Sequence, residues 1–170
     1  VHGQRGILFA SNRKDTLLRS LRLDTVMPID PFDIFYYNLD SEYKELVRVT
    51  STPFASERQP LPIDSTHFVY LSDRSGIVNR EAGRLEDFIH HYEQRIQLID
   101  GTEIVMHADS SLEKLDSAMI DTILIEPVVR QRAITHNLTN YRDNVLFHHV
   151  AKRAPRAVEV FSLSHEGYVL

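Results

Sequence analysis

The chain has no cysteine among its 170 residues, and that absence excludes several kinds of chemistry at once. It removes disulfide frameworks, thiolate nucleophiles and cysteine-based metal sites, and with them the usual sequence sign of the redox compartment. Long apolar runs are also absent. The longest are a few residues, whereas a helix that spans a bilayer needs about 20 apolar residues in succession. We therefore expect no transmembrane segment.

An excess of basic residues is the third feature that the chain lacks. Lysine and arginine number 19 against 24 aspartate and glutamate residues, which gives a net charge of −5. A protein that binds a phosphate backbone usually carries a basic patch or stripe. The one basic cluster, residues 152–156, is short and typical of a solvated loop. The composition therefore predicts no nucleic-acid partner, and the length with 42% hydrophobic residues predicts one ordinary domain with a core.

What the chain does contain is an internal repeat of a short strand followed by a polar turn. Residues 68–76 place four apolar or aromatic residues before Ser-Asp-Arg-Ser-Gly, which is typical of a buried strand that ends in a turn. Ile7–Arg13 aligns with Phe68–Arg74 position for position, with Asn in place of Asp. A repeat determines the whole architecture, so it takes precedence over the other patterns.

Most of the remaining segments also favour strands. Phe32–Leu39 is rich in aromatic residues, Leu46–Thr50 alternates apolar and polar residues, and Pro60–Asp64 predicts a short, irregular inner strand. Further strands are predicted over residues 122–129, 145–149, 157–163 and 167–170. Successive short strands with turn residues between them predict a mainly β fold, built from the meander sheets of a propeller or a sandwich.

Two other local patterns lie between these strands. Asp100-Gly101 separates the strand-like runs 95–99 and 102–107, which predicts a β-hairpin with a type I′ turn. Apolar residues at helical spacing indicate helical structure elsewhere. Short helical segments are predicted within residues 16–21, 80–91 and 110–120.

The order of these motifs resembles the repeat of TolB-like (WD-repeat-like) β-propeller proteins of bacterial cell envelopes, of the Bacteroidetes type. Blades of that family carry a motif close to P-x-W-S-P-D-G-x-x-I-x-F-x-S-D-R-x-G, then an aromatic strand that ends in Asp, then an R-x-L-T strand. Ser72–Gly76 and Ser11–Arg13 match the end of the first motif, and Asp33–Asp40 matches the aromatic strand. Arg48–Thr50 matches the last strand, and Arg132–Thr135 matches it more loosely.

The chain departs from the family pattern in two places. The tryptophan of the inner strand is missing, and Pro62–Ser65 replaces the S-P-D-G segment. In addition, roughly fifty residues follow Gly76 before the next R-x-x-T segment, more than a blade of about 40–45 residues allows. The resemblance covers residues 5–80 well and 130–170 weakly, and it implies an insertion over about 77–125 that carries the predicted hairpin.

The resemblance implies two to three partial blades of a β-propeller. We predict a blade over residues 1–56 that lacks its N-terminal part, a blade over 57–140 that contains the insertion, and the start of a further blade over 141–170. Because Ile7 already begins a strand whose preceding strands are missing, we favour a piece of a longer protein over a chain from which a leader has been removed. We expect the missing strands to come from further polypeptide of the same protein, a companion chain or a second copy.

The nine histidines are the most obvious candidates for a chemical site. His90-His91 and His148-His149 are adjacent pairs, but neighbouring strand residues point to opposite faces, so neither pair is a natural chelate unless the backbone bends. The H-E-x-x-H, C-x-x-C and calcium-loop patterns are all absent. Ser162–Glu166 contains Ser, His and Glu without the G-x-S-x-G elbow of a hydrolase. We therefore predict no catalytic, cofactor-binding or metal-binding residue and no cofactor.

Two further patterns are explained without a ligand. Asn137-Leu138-Thr139 fits a glycosylation sequon, which matters only in a eukaryotic secretory pathway. An aromatic stripe is formed by Phe32, Phe35, Tyr36 and Tyr37. Since alternate residues of a strand face the core, at most half of this stripe can serve a binding surface.

The function that the resemblance implies is a non-catalytic interaction or scaffold module of a periplasmic or outer-membrane-associated envelope complex. Its partners would be the remaining blades of the same protein or companion envelope proteins. One alternative is the propeller domain of a prolyl-oligopeptidase-like serine peptidase whose catalytic domain lies outside this chain. Another is a carbohydrate-active propeller, which needs clustered carboxylates at its channel. Fold alone does not choose between them, but the downstream sequence would: a G-x-S-x-G elbow favours the peptidase and a peptidoglycan-binding domain favours the scaffold.

Overall fold

Three antiparallel β-sheets make up the fold in the computed structural model, which describes residues 5–14, 16, 31–40, 46–112, 115–151, 154, 156–162 and 167–169. Strands account for 62% of the structure, so the predicted mainly β fold class is confirmed, and the described residues form no closed barrel or propeller. The chain divides into two compact units. Unit 1 comprises Val1–Glu86 and Arg132–Leu170, and unit 2 comprises Asp87–Gln131.

The first sheet contains β1 (Gly6–Ser11), β2 (Asp33–Asn38) and β3 (Leu46–Arg48), in that order. Phe9 pairs with Phe35 across β1 and β2, and their rings stack with centroids 5.9 Å apart. Aromatic and β-branched residues suit such a pleated, half-buried surface, which is why this stretch forms a strand.

The aromatic stripe is more deeply buried than strand alternation predicts. Phe35 and Tyr36 are consecutive and face opposite sides of β2, yet they are 0% and 7% exposed. Tyr36 packs in the core cluster with Ile34 on one face. On the other face the Phe35 ring stacks on Phe9 and lies beneath the Arg48 guanidinium, so both faces of β2 are covered. Phe32 precedes the strand and remains 44% exposed.

The second sheet contains the strands that follow in the chain: β4 (Glu57–Pro62), β5 (His67–Ser72), β6 (Asn79–Leu98), β7 (Glu103–His107) and β8 (Ile120–Asn137). The order β4-β5-β6-β7 is antiparallel throughout, and β8 also pairs with β6. β6 is long enough to pair with β5 through its first residues and with β7 through its last. β6 and β8 therefore contribute residues to both units.

The third sheet contains β9 (Asn144–Val150), β10 (Ala157–Ser162) and β11 (Gly167–Val169), with β10 in the middle. A register shift follows Val160 in β10. Within the described part of the chain, no helix is long and apolar enough to cross a membrane.

The helices predicted within residues 80–91 and 110–120 are not formed. Residues 80–91 lie in β6, where pairing with β5 and β8 overrides the helical spacing of Leu85, Phe88 and Ile89. The second prediction is reduced to a 3-10 turn at Ser117–Met119, capped by Asp116. The helical turn predicted over 16–21 lies, apart from its first residue, outside the described residues.

The predicted hairpin at Asp100-Gly101 is confirmed, but its turn type is different. The Gly101 N–H donates to the Leu98 carbonyl at 2.9 Å, and the Leu98 N–H donates to the Thr102 carbonyl at 2.9 Å. Gly101 has φ 87°, whereas Asp100 is not among the described residues with positive φ. A type I′ turn needs positive φ at both central residues. The loop is therefore a three-residue turn that closes with Gly101 in the left-handed region.

Two apolar clusters form the core of unit 1. Successive residues of β5 point to opposite faces, so Tyr70 belongs to one cluster and Leu71 to the other. The larger cluster contains Ile34, Tyr36, Val49, Phe68, Tyr70 and Leu85. The smaller contains Leu71, Val78, Val145 and Phe161.

The internal repeat is visible in the backbone hydrogen bonds around Ile34. Its N–H donates to Thr50 Oγ1 at 2.8 Å. The N–H groups of Val49 and Thr50 donate to the Ile34 carbonyl at 2.8 and 3.3 Å. Thr50, which follows β3, is thus hydrogen-bonded to the start of β2 through both its side chain and its backbone.

The same three bonds recur around Arg80. Its N–H donates to Thr139 Oγ1 at 2.9 Å, and the N–H groups of Leu138 and Thr139 donate to its carbonyl at 3.0 and 3.1 Å. The structural equivalent of Arg48–Thr50 is therefore Asn137–Thr139, and the match to Arg132–Thr135 is wrong. Thr135 lies inside β8, where its side chain hydrogen-bonds to Tyr70. The threonine of the glycosylation sequon, Thr139, therefore takes the position of Thr50 in the repeat. We call this recurring arrangement, in which a threonine hydroxyl accepts from a backbone N–H near the start of a neighbouring strand, the threonine motif.

A further pair of bonds extends the repeat into the next strand. The Glu57 N–H donates to the Phe32 carbonyl at 2.7 Å, and the Val145 N–H donates to the Val78 carbonyl at 2.9 Å. Val145 therefore takes the position of Glu57 in the next copy. The two lie 88 positions apart, and unit 2 supplies 45 of the intervening residues. The remaining interval of about 43 residues is close to the 46 positions that separate Ile34 from Arg80.

Candidate functional site

A polar cleft of about 320 Å³ lies where β1 and β3 end and β2 begins. Both strand pairs are antiparallel, so the ends of β1 and β3 and the start of β2 lie at the same end of the sheet. The cleft, called here the strand-end cleft, is lined by Asn12, Arg13, Lys14, Pro31, Asp33, Arg48, Ser51, Thr52 and Pro53. The polar turns that end the predicted strands thus converge on one place.

An ion pair between Arg48 and Asp33 belongs to this lining. Arg48 Nε donates to Asp33 Oδ2 at 3.0 Å, and a second guanidinium N–H donates to the same oxygen. Asp33 is 5% exposed, and its other carboxylate oxygen lies 3.4 Å from Thr50 Oγ1. Because the carboxylate is almost fully desolvated, loss of Arg48 would leave a buried charge without compensation.

Glu57 lies next to this pair and is 1% exposed. Burial raises the pKa of Glu57 to about 7; hydrogen bonds from Thr52 and Thr50 oppose the increase, and the Asp33 carboxylate adds to it. Thr50 Oγ1 lies 3.3 Å from Glu57 Oε2, and Ser72 Oγ donates to Oε1 at 3.4 Å. Glu57 is thus held by hydroxyl groups rather than by a cation.

A carboxyl group with a pKa of about 7 can exchange a proton at neutral pH. To act on a substrate it must also lie within about 3 Å of the reacting atom. Both oxygens of Glu57 face hydroxyl groups of the chain, and its side chain is enclosed. This arrangement suits a group that fixes the end of β3 against the start of β4.

A second polar cluster joins the second and third sheets within unit 1. A guanidinium nitrogen of Arg80 lies 2.9 Å from Glu159 Oε1. The Tyr141 hydroxyl donates to Glu159 Oε2 at 2.9 Å, and this hydrogen bond raises the pKa of Tyr141. Arg80 and Glu159 are mostly buried, so the pair replaces water around both charges.

His148 is part of the same cluster and is 1% exposed. Burial lowers the pKa of His148, and its Nε2 lies 2.7 Å from the Gln59 carbonyl, which identifies Nε2 as the protonated nitrogen. Gln59 has φ 50° at an irregularity of β4, and its side chain donates to the Leu146 carbonyl at 3.1 Å. The bulge at Gln59 therefore connects β4 to β9 twice.

The two pairs of adjacent histidines differ in how their side chains are oriented. His148 and His149 point to opposite faces of β9, as strand alternation predicts; one is buried and the other exposed. In unit 2, however, the His90 and His91 rings meet, with their Nδ1 atoms 2.7 Å apart, so the expectation that this pair points apart is wrong. The His91 ring also stacks on His107, with centroids 5.1 Å apart. Nevertheless, no three described His, Asp or Glu side chains are arranged to hold a metal ion.

The remaining candidates do not form a site. Ser162 ends β10, and residues 163–166 lie outside the described part of the chain. At the opposite ends of the strands, a second cleft of about 330 Å³ includes Asp64 and His67 in its lining. Backbone N–H groups of Thr66 and His67 lower the pKa of Asp64 to about 2, so this carboxylate stabilises a turn.

Sequence reasoning missed Asp33, Glu57, Arg80 and Glu159. Each lies at the start of a strand or within one, where the sequence indicates only strand propensity. The threonine motif is the one signal that could have located Asp33 and Arg80, because the threonine hydroxyl accepts from the N–H of Ile34, which follows Asp33, or from the N–H of Arg80. That signal required alignment of Thr50 with Thr139.

Comparison with protein-family models, curated proteins and solved structures finds no match to this chain.

Proposed function

We propose that the chain contributes blades to a TolB-like β-propeller that acts as a non-catalytic interaction module of a bacterial envelope complex, in the periplasm or at the outer membrane. The repeated strand order carries this proposal. β4, β5, β6 and β8 pair in succession as a four-stranded antiparallel sheet, which is the content of one propeller blade. β1–β3 and β9–β11 are three strands each of the adjacent blades.

The insertion has a defined place in this arrangement. Unit 2 interrupts the chain between Glu86 in the third strand of the blade, β6, and Arg132 in its fourth strand, β8. In the preceding copy only seven residues, 39–45, separate β2 from β3 in the sequence. Loops at this position vary in length without loss of the sheet, since they lie outside the strand ladder.

The strand-end cleft favours binding over catalysis. Its lining combines both charge signs with hydroxyl and amide groups, and its charged pair Asp33–Arg48 is already internally neutralised. The adjacent carboxyl group of Glu57 is enclosed by the chain. A partner segment can bind to such turns through polar contacts while the strands beneath them stay fixed.

Site-specific photocrosslinking tests this role. A photoreactive residue is placed at Ser51, an exposed member of the strand-end cleft, in the protein produced in a bacterium with an outer membrane. The matched control is Ser65, an exposed serine in the second cleft at the opposite strand ends. We expect a discrete protein adduct at Ser51 that is weaker or absent at Ser65. Absence of an adduct at Ser51, or peptide turnover by the chain that Ser51→Arg abolishes, would contradict an interaction module.

A further inference from the structure

The β8 segment 121–127 in unit 2 is exposed at every position. Ile123, Leu124 and Ile125 are 41%, 53% and 64% exposed. One edge of β8 pairs with β6, and no described strand pairs with the other edge. An apolar strand with an unpaired edge is a template for a further strand.

Apart from one pair, Asp121 and Pro127, the sequence around Leu124 is symmetric in polarity. Moving outward from Leu124, the residues on its two sides are Ile and Ile, Thr and Glu, Asp and Pro, and Ile and Val. Two copies paired antiparallel, with Leu124 on the two-fold axis, therefore match apolar with apolar residues. In this register Ile123 of one copy lies opposite Ile125 of the other, and Thr122 lies opposite Glu126.

Charge also selects this register. No carboxylate opposes a carboxylate in it, and Glu126 is already paired with Arg95, whose Nε lies 3.0 Å away. A shift of one residue in one direction places Asp121 opposite Glu126, and like charges at opposed positions are destabilising. A shift of one residue in the other direction places the apolar Ile123 opposite the charged Glu126. A shift of two residues places Leu124 opposite Glu126 or Thr122 and separates the apolar groups.

We propose that Thr122–Glu126 is a dimerisation strand, through which unit 2 of one chain pairs antiparallel with unit 2 of a second copy. The pairing extends the sheet across the two-fold axis and brings the apolar side chains that β8 exposes into cross-strand contact with those of the second copy. It does not depend on the role proposed for the strand-end cleft, because it uses residues of unit 2 alone.

The absence of native cysteine makes crosslinking a clean test. Opposed residues of antiparallel strands have Cα atoms about 4.5–5.5 Å apart, which is within disulfide reach. Leu124→Cys in the whole chain is treated with oxidised glutathione, which accepts the two electrons and two protons released as two thiols join. The matched control is Leu146→Cys, since Leu146 is 54% exposed on a different strand. We expect a disulfide-linked dimer for Leu124→Cys and a monomer for Leu146→Cys.

The register is tested with a second pair of variants. Ile123→Cys and Ile125→Cys should each stay monomeric alone, because each residue lies about 7–8 Å or more from its own copy across the axis. An equal mixture of the two should form the disulfide-linked dimer. The proposal is overturned if folded Leu124→Cys stays monomeric, or if the Leu146→Cys control crosslinks to the same extent.

Discussion

Asp33 and Glu57 illustrate how two buried carboxyl groups that share one hydroxyl acquire different properties. Asp33 is paired with Arg48, whereas Glu57 is held by the hydroxyls of Thr50 and Ser72. A neutral hydroxyl compensates a buried negative charge less than a guanidinium does. Burial can therefore raise the pKa of Glu57 to about 7 while its neighbour is ion-paired.

Glu57→Gln should reduce the loss of stability that the chain shows as the pH rises. The pKa of Glu57 is about 7 in the folded state against a usual value of 4.5. The folded state therefore binds the proton more tightly, so the contribution of Glu57 is fully present below about pH 4.5 and lost as the pH rises through about 7. At about 1.4 kcal/mol per pKa unit, this contribution to the free energy of unfolding falls by at most about 3.5 kcal/mol by pH 8.

Urea unfolding of the parent chain and of Glu57→Gln at pH 5 and pH 8 measures this effect. His148 acts in the opposite direction, because a lowered pKa makes its contribution present at high pH and lost as the pH falls. His148 is the same in both proteins, so the difference between their pH slopes isolates Glu57. Identical slopes would show that burial does not perturb this carboxyl group.

Gly101→Val should destabilise the hairpin by about 1–2 kcal/mol, the cost of a side chain in the left-handed region. The φ of Gly101 is 87°, and an added Cβ meets no atom within 4 Å, so the cost arises from backbone conformation alone. Gly101→Asn is the control, because asparagine tolerates this region. Thermal unfolding gives the comparison; an unchanged midpoint for the valine variant would contradict the observed turn.

At the scale of the strands, the repeat depends on bonds that a threonine makes with the start of a neighbouring strand. Thr139→Val and Thr50→Val each remove the acceptor for a backbone N–H, of Arg80 and Ile34 respectively. An orphaned N–H of this kind costs about 1–3 kcal/mol. Urea unfolding should show similar losses for both variants, with recovery in Thr139→Ser and Thr50→Ser. A large loss for one and none for the other would contradict their equivalence.

The strands and the hairpin could be predicted because their signals are local. Apolar and aromatic runs, polar turn residues and the Asp-Gly pair each act within a few residues. The helix predicted within residues 80–91 is not formed, because strands pair with β6 on both of its edges and hold these residues in an extended conformation. The polar clusters could not be predicted either, because their contacts join residues that are far apart in the sequence. His148 contacts Gln59 over a separation of 89 positions, and the contact requires a bulge in β4 that the local sequence does not specify.

At the scale of the whole molecule, the proposed role is one of binding, and we expect the purified chain to turn over neither peptides nor glycosides. The reason is chemical: a carboxyl group that can exchange protons, Glu57, is enclosed, and the chain carries no nucleophile elbow. A panel of chromogenic peptides and glycosides provides the measurement. Turnover that Glu57→Gln or Asp33→Asn abolishes would show instead that the strand-end cleft is an active site.

Removal of unit 2 tests the repeated blade most directly. Glu86 and Arg132 face each other across β6 and β8, with Arg132 Nε donating to Glu86 Oε1 at 2.7 Å. An Asn-Gly turn can therefore join them as a two-residue hairpin in place of residues 87–131. The measurement is amide hydrogen exchange over β4, β5 and β9. If unit 2 is an insertion within one blade, these amides stay as protected as in the parent chain. Rapid exchange throughout these strands would contradict the blade.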